Sequence, residues 1–153
     1  MANQVEPLLI KPLFQALQKE RFTTISTVDF ETKGPNVSAI SWIIAPDMEH
    51  IRFAVDNRSR IVKNIEQNDL VVINIIANES CYSISGKANV KCEKMEGVPL
   101  KLALLEVEIQ EVRDVMFYGS KISVEPAYEK TYDAVAAAKL DNQVIEAMKK
   151  GLC

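Results

Sequence analysis

The sequence predicts a mainly β protein: an antiparallel barrel of six or seven strands with flanking helices. Three observations carry that reading. Short β-branched or alternating segments recur between turn signals over residues 21–112. Helical spacing is confined to the two ends and one brief interior stretch. Residues 70–77 are almost wholly apolar, as the central strand of a core would be. With 153 residues the chain suffices for a single domain, 1–153, whose core needs no cross-links.

The elements follow in order. Residues 11–20 place Leu13, Phe14 and Leu17 at helical spacing after Pro12, a residue suited to a first helical turn. Residues 21–29 are rich in β-branched side chains and form a strand. Gly34 and Pro35 turn the chain into a second strand, 37–45, with Val37, Ala39, Trp42 and Ile44 among its apolar members. Residues 46–49 close a hairpin into a third strand, 51–55. Residues 59–68 are helical, with Ile61 and Ile65 facing inward and Arg60, Lys63, Asn64 and Gln67 on the other faces.

The strand over 70–77 is expected to be buried on both faces. Residues 81–91 alternate as far as Gly86, where the missing side chain points to a bulge or a close approach. Residues 105–112 set Leu105, Val107 and Ile109 against Glu106, Glu108 and Gln110, a strand with one wet face. The stretch 93–104, holding Gly97 and Pro99, reads as either a loop or a distorted helix. One more short strand is expected over 122–128, and a closing helix over 132–152 with Gly151 at its stop.

Composition excludes several functions. A hydrophobic share of 48% and a charged share of 25% are those of a soluble globular protein. A net charge of -3 without long blocks of one sign argues against nucleic-acid or anionic-membrane partners. The N-terminal apolar patch is broken by Pro7 and Pro12, unlike a signal peptide, and no run approaches the ~18–20 apolar residues that span a bilayer. A cytoplasmic location is therefore expected. Cys81, Cys92 and Cys153 share no CxxC spacing and read as free thiols of a reducing compartment. The single histidine, His50, reads as a surface turn residue and rules out a two-His metal site. No GxGxxG or GxxxxGK[ST] string occurs.

The richest segment is 51–76, IRFAVDNRSRIVKNIEQNDLVVINII. A strand runs into a helix there, and Arg58, Ser59, Arg60 and Lys63 gather at the junction. Free amides and the positive end of a helix dipole favour an anion at such a place, phosphate above all. Taken alone, the cations Arg58, Arg60 and Lys63 read as a solvated helix face.

This segment, followed by YSISGKANV, resembles the pyridoxamine 5′-phosphate oxidase-like split barrels that bind flavin mononucleotide (FMN). Phe53 matches the family's aromatic, Ser59 and Arg60 the first two members of its Ser-Arg-Lys triplet, and Asn68 the Asn before the buried strand. Gly86 with Ala88 resembles its glycine-centred strand. Val55 stands in place of a threonine, Ile61 of the triplet's lysine and Asp69 of a proline. Arg58 and Lys63 lie near enough to restore the charge, and an arginine fork grips phosphate through two bonds.

The resemblance implies a split barrel and an FMN ring along Ile40, Ser41 and Trp42. It places the phosphate near Val55, Arg58, Ser59, Arg60 and Lys63, with Cys81 approaching from a second subunit. It further implies a homodimer and a flavin-dependent oxidoreductase acting on a small-molecule substrate. Pyridoxamine phosphate itself is not the expected substrate, because residues 131–153 lack Trp, Arg and His. Val55 and Ile61 motivate an alternative, a non-catalytic dimer that binds haem or a phosphorylated metabolite. Read without the resemblance, Ser41 and Ser83 are ordinary polar strand positions and Trp42 a core or interface aromatic.

Overall fold

In the computed structural model, which describes residues 5–151, eight strands form one sheet in which every pairing is antiparallel. The elements are β1 (Val5–Glu6), α1 (Lys11–Ala16), β2 (Thr23–Val28), β3 (Pro35–Ile40), β4 (Ile43–Ile44), β5 (His50–Asp56), α2 (Arg60–Gln67), β6 (Leu70–Ala77), β7 (Ser80–Cys92), β8 (Leu102–Asp114) and α3 (Ala134–Lys150). The sheet order is β3-β2-β6-β7-β8-β5-β4, with β1 added alongside the end of β8.

That order explains the barrel. β3 and β4 are separated in sequence only by Ser41 and Trp42, yet they form opposite edges of the sheet. The sheet therefore curls until its two edges meet, and the strand expected over 37–45 is broken at that seam. Local pattern does not record such a switch of partners. The Ser41 carbonyl accepts from Arg21 N (3.1 Å) and Ile43 N (3.0 Å), while the Trp42 carbonyl accepts from Ala54 N (3.0 Å). These bonds hold the bend between the two edges.

Two apolar clusters fill the molecule. The larger lies inside the curl, where Leu13 and Leu17 meet Ile25, Phe53, Ile61, Ile65, Ile73, Ile84 and Val107. The smaller lies on the opposite face of β5 and β8, where Ile44, Ala54, Met95 and Leu104 receive Val144, Ile145 and Met148 of α3. Buried Asn64 locks α2 to the β2–β3 hairpin: its amide donates to Thr27 Oγ1 and Asn36 Oδ1, each at 2.9 Å, and its oxygen accepts from Phe30 N. Such a fully satisfied polar group fixes position without the cost of an orphaned donor. α3 begins at Asp133, whose carboxylate accepts from Ala136 N at 2.8 Å, and ends at Gly151 in the left-handed region. Arg52 donates to the Met148 carbonyl at 3.0 Å, satisfying an otherwise open helix end.

Four expectations are corrected. Only Val71, Ile73, Ile75 and Ala77 of β6 are buried, because no described element covers its other face. Register sets that outer face beside Thr24 and Ser26 on one side and Ser83 and Ser85 on the other. Residues 122–128 form no strand; a backbone bond from Ile122 N to the Glu79 carbonyl at 2.8 Å and side-chain bonds such as Arg21 to Glu125 hold them. Val135, counted among the apolar residues of the closing helix, is 78% exposed. Among the cysteines Cys81 is free, but Cys92 is disulfide-bonded; Cys153 lies outside the described residues. The stretch 93–104 is irregular chain up to Leu102. At Gly86 the bulge and the close approach coincide, since a Cβ there would lie 2.4 Å from the Glu108 carbonyl oxygen. No described helix is long and apolar enough to cross a membrane.

Candidate functional site

A cleft of about 390 Å³ opens at the seam of the barrel. Ser38, Ala39, Ile40, Ser41 and Trp42 form one wall, Ala54, Val55 and Asp56 the other, and Ser59 and Ile61 at the start of α2 close one end. β3 is an edge strand, so its outer backbone groups face this space without a ladder partner. The volume lies in the range of small-molecule sites. Larger concavities lie beside residues 114–121 and along α3, and neither is lined by a residue predicted for the site.

Of the nine residues predicted from sequence, Ile40, Ser41, Trp42, Val55 and Ser59 line this one cleft. Phe53, one match of the resemblance, lies in the core with no exposed surface. Ser59 caps α2, its hydroxyl accepting from Ile61 N at 3.1 Å. Arg58, Arg60 and Lys63 border the same end without lining the cleft. Cys81 is elsewhere: β2 and β6 separate its strand from β3, and Asn74 Nδ2 lies 3.0 Å from its sulfur. Within one chain Cys81 does not reach the cleft.

The cations carry partners. Arg58 grips Asp56 through Nε (3.2 Å) and Nη2 (3.3 Å), with its own amide on the same carboxylate at 2.8 Å. Those bonds hold the Asp56 carboxyl below its ordinary pKa and raise that of Arg58. Arg60 donates to Asp29 (3.1 Å) and Glu31 (3.2 Å) while its guanidinium lies 4.8 Å from the centre of the Phe30 ring. Asp29 is lowered in turn, chiefly by the amides of Thr32 and Glu31 and further by Arg60. Lys63 lies 5.8 Å from the centre of the same ring. Arg58 and Arg60 keep 85% and 52% of their side chains in water.

The opposite end of the cleft carries a cluster that sequence pattern does not reveal. Ser41 Oγ donates to Glu20 Oε2 at 3.1 Å and Trp42 Nε1 to Asp141 Oδ1 at 2.9 Å. Lys130 bridges the two carboxylates, at 2.6 Å from Glu20 and 3.1 Å from Asp141. Tyr128 adds a hydroxyl on Glu20 at 2.8 Å. These partners lie up to 110 residues apart in sequence. Asp56 was missed as well, although its place at the end of a strand beside Arg58 was a usable signal.

His50 sits at the start of β5, bound to Asp47 at 2.9 Å and remote from the cleft lining. Burial opposes ionisation of Asp47, but the His50 and Glu49 hydrogen bonds outweigh it and lower its pKa.

Comparison with known proteins adds the family. A model described as pyridoxamine 5′-phosphate oxidase matches residues 10–116. No curated protein matches the chain. Among solved structures, a candidate pyridoxamine 5′-phosphate oxidase from Lactobacillus delbrueckii is 17% identical, with a TM-score of 0.60 over 73% of this chain and 98% of that one. HupZ from Group A Streptococcus is 15% identical, with a TM-score of 0.58 over 76% and 100% of the two chains. HutZ, a haem storage protein from Vibrio cholerae, is 13% identical, with a TM-score of 0.51 over 69% and 95%. At these identities the likeness is one of fold.

Proposed function

Because this chain belongs to the pyridoxamine 5′-phosphate oxidase family, with its model matched over residues 10–116, we propose that the seam cleft holds FMN. The observation that carries this reading is the cleft itself: Ile40, Ser41, Trp42, Val55 and Ser59 converge on one space that ends at a helix start. The ring end fits as it stands. The walls set Ala39, Ile40, Trp42, Ala54 and Val55 among serines, and the edge of β3 offers backbone groups for a planar polar ring.

The phosphate end fits by exchange. Asp56 brings a negative charge to the lining, and a phosphate must take Arg58 and Arg60 from their carboxylates. The Arg58 to Asp56 and Arg60 to Glu31 pairs are largely in water, where ion pairs contribute little and exchange readily. Asp29 is only 8% exposed and keeps the amides of Glu31 and Thr32 when Arg60 turns away. For Arg58 a bidentate phosphate contact then replaces a bidentate carboxylate contact of the same geometry.

Bound FMN would supply electron or hydride transfer; the chain's residues hold the ring, orient it and exclude water. The protein is on this reading a cytoplasmic flavin-dependent oxidoreductase acting on a small molecule other than pyridoxamine phosphate. A second copy covers the outer face of β6 and β7, where Leu70 is 51% exposed beside half-buried Val72 and Ile76, giving a homodimer. Cys81 lies on that face and would meet the partner there.

The haem alternative finds less support in this cleft, since its lining holds no imidazole, thiolate or phenol to ligate iron. A phosphorylated metabolite would use the same helix start. Thermal or urea unfolding with FMN, riboflavin and inorganic phosphate separates these readings. FMN at 100 times its dissociation constant is expected to stabilise the fold by about 2.7 kcal/mol. Stabilisation by phosphate alone would favour the metabolite, and no response to either flavin would count against the cofactor.

A further inference from the structure

The family match ends at residue 116, yet the chain beyond it returns to the cleft. Lys130 and Tyr128 lie on the irregular segment after β8, and Asp141 lies on α3. Asp141 accepts from Trp42 directly, and Tyr128 and Lys130 bond to Glu20, which accepts from Ser41; Ser41 and Trp42 are two residues of the cleft wall. Trp42 also packs against the α3 cluster beside Leu140, so its ring is held between that helix and the cleft. The seam at Ser41–Trp42 is where the two sheet edges meet without a ladder of their own. Something other than β pairing must fix these side chains.

We propose that Lys130 is a positioning residue for the ring end of the cleft: by bridging Glu20 and Asp141 it fixes the Trp42 indole and leaves the Ser41 oxygen an acceptor toward the ligand.

The chemistry runs as a chain of assigned donors. Glu20 and Asp141 are carboxylates that accept only, so Ser41 spends its one proton on Glu20 and Trp42 its one N–H on Asp141. The indole then offers the cleft only its apolar ring, and Ser41 only lone pairs. A ligand suited to this end has a flat apolar face and an N–H or O–H opposite Ser41. Without the ammonium between them, the two carboxylates repel, and the acceptors that hold Ser41 and Trp42 are no longer fixed.

The cluster is sheltered enough to hold a geometry. The side chains of Lys130, Glu20 and Asp141 are 26%, 18% and 15% exposed. Burial disfavours the Lys130 charge, but its hydrogen bonds to Glu20 and Asp141 outweigh that and raise its pKa.

The inference rests on the FMN reading, and its test separates the two. Trp42 is the only tryptophan, so emission from ligand-free protein reports its setting directly. Lys130→Ala is expected to red-shift that emission and increase its quenching by acrylamide. The same variant is expected to weaken FMN and riboflavin by an equal factor of about ten, the loss of roughly one ligand hydrogen bond. Lys130→Arg, which can still bridge two carboxylates, should restore both readouts. Lys121→Ala, whose lysine pairs with Glu79 away from the cleft, should change neither. Should the alanine variant fail to fold by circular dichroism, Lys130→Met, which keeps an unbranched side chain without the charge, replaces it. Emission, or affinity for both flavins, that stays at wild-type values in the variant would overturn the proposal. Where wild-type protein binds neither flavin, the FMN reading fails, and the emission arm alone decides whether Lys130 positions Trp42.

Discussion

At the α2 end of the seam cleft, Arg58 meets Asp56 and Arg60 meets Glu31 in water, with side-chain exposures of 85% and 53% and of 52% and 62%, while the second partner of Arg60, Asp29, is buried at 8%. At the Trp42 end, Lys130 meets Glu20 and Asp141 with exposures of 26%, 18% and 15%. Both ends use the same pairing of cation with carboxylate. Solvent makes them different devices: exposed pairs are screened and exchange partners at little cost, whereas sheltered ones hold their neighbours in place. One end is suited to trade a carboxylate for a phosphate, and the other to present a fixed wall to a ring.

The sharpest way to break this comparison is to remove the exchangeable cations. Replacing both Arg58 and Arg60 by alanine should weaken FMN on the order of 100-fold, because charged hydrogen bonds to the phosphate are lost. Riboflavin, which lacks the phosphate, should bind as before. Equal losses for both ligands, measured by fluorescence titration, would erase the distinction between the ends.

Stability should divide the same way. Glu20→Ala strips Lys130, Ser41 and Tyr128 of a common acceptor and should cost about 1–3 kcal/mol, read from the urea midpoint. Arg58→Ala should leave that midpoint unchanged, since the lost pair is exposed.

A smaller effect should appear in the pH dependence, with opposite signs at the two ends. Asp56 and Asp29 are held below their ordinary pKa, so their contribution is present above about 3.9 and lost as pH falls through the folded value. Lys130 is raised, so its contribution is present below about 10.4 and lost as pH rises through its folded value. Burial and the Glu20 bond push Tyr128 up to about 12, so the folded state keeps a proton that the unfolded chain releases above about 10. Asp56→Asn should flatten the acid limb of the stability profile, and Tyr128→Phe part of the alkaline limb. A profile that either variant leaves untouched would mean that the end concerned contributes nothing.

What the sequence discloses about this molecule follows from the range of each interaction. The start of α2 near Ser59, Gly86 at a bulge, and Gly151 ending α3 all depend on neighbours a few residues away, and each was legible. The break at Ser41–Trp42 was not, because the reason lies in which sheet edges close upon each other. β6 looked buried on both faces because an apolar run does not say whether its second cover is absent from the same chain. The arginines at the start of α2 were legible, but the carboxylates that hold them were not all so: Asp56 is two residues from Arg58, whereas Asp29 is 31 residues from Arg60. Lys130, Glu20 and Asp141 carried no motif at all, since three isolated charges become a cluster only after the barrel has closed and α3 has docked.

The most direct test of the account is the visible absorption spectrum of freshly purified, untreated protein, repeated after incubation with FMN and removal of free ligand. The account predicts a flavin spectrum that stays with the wild-type protein and is reduced in the Arg58→Ala, Arg60→Ala double variant. A colourless protein that retains no FMN, or one that carries a haem spectrum instead, would contradict it.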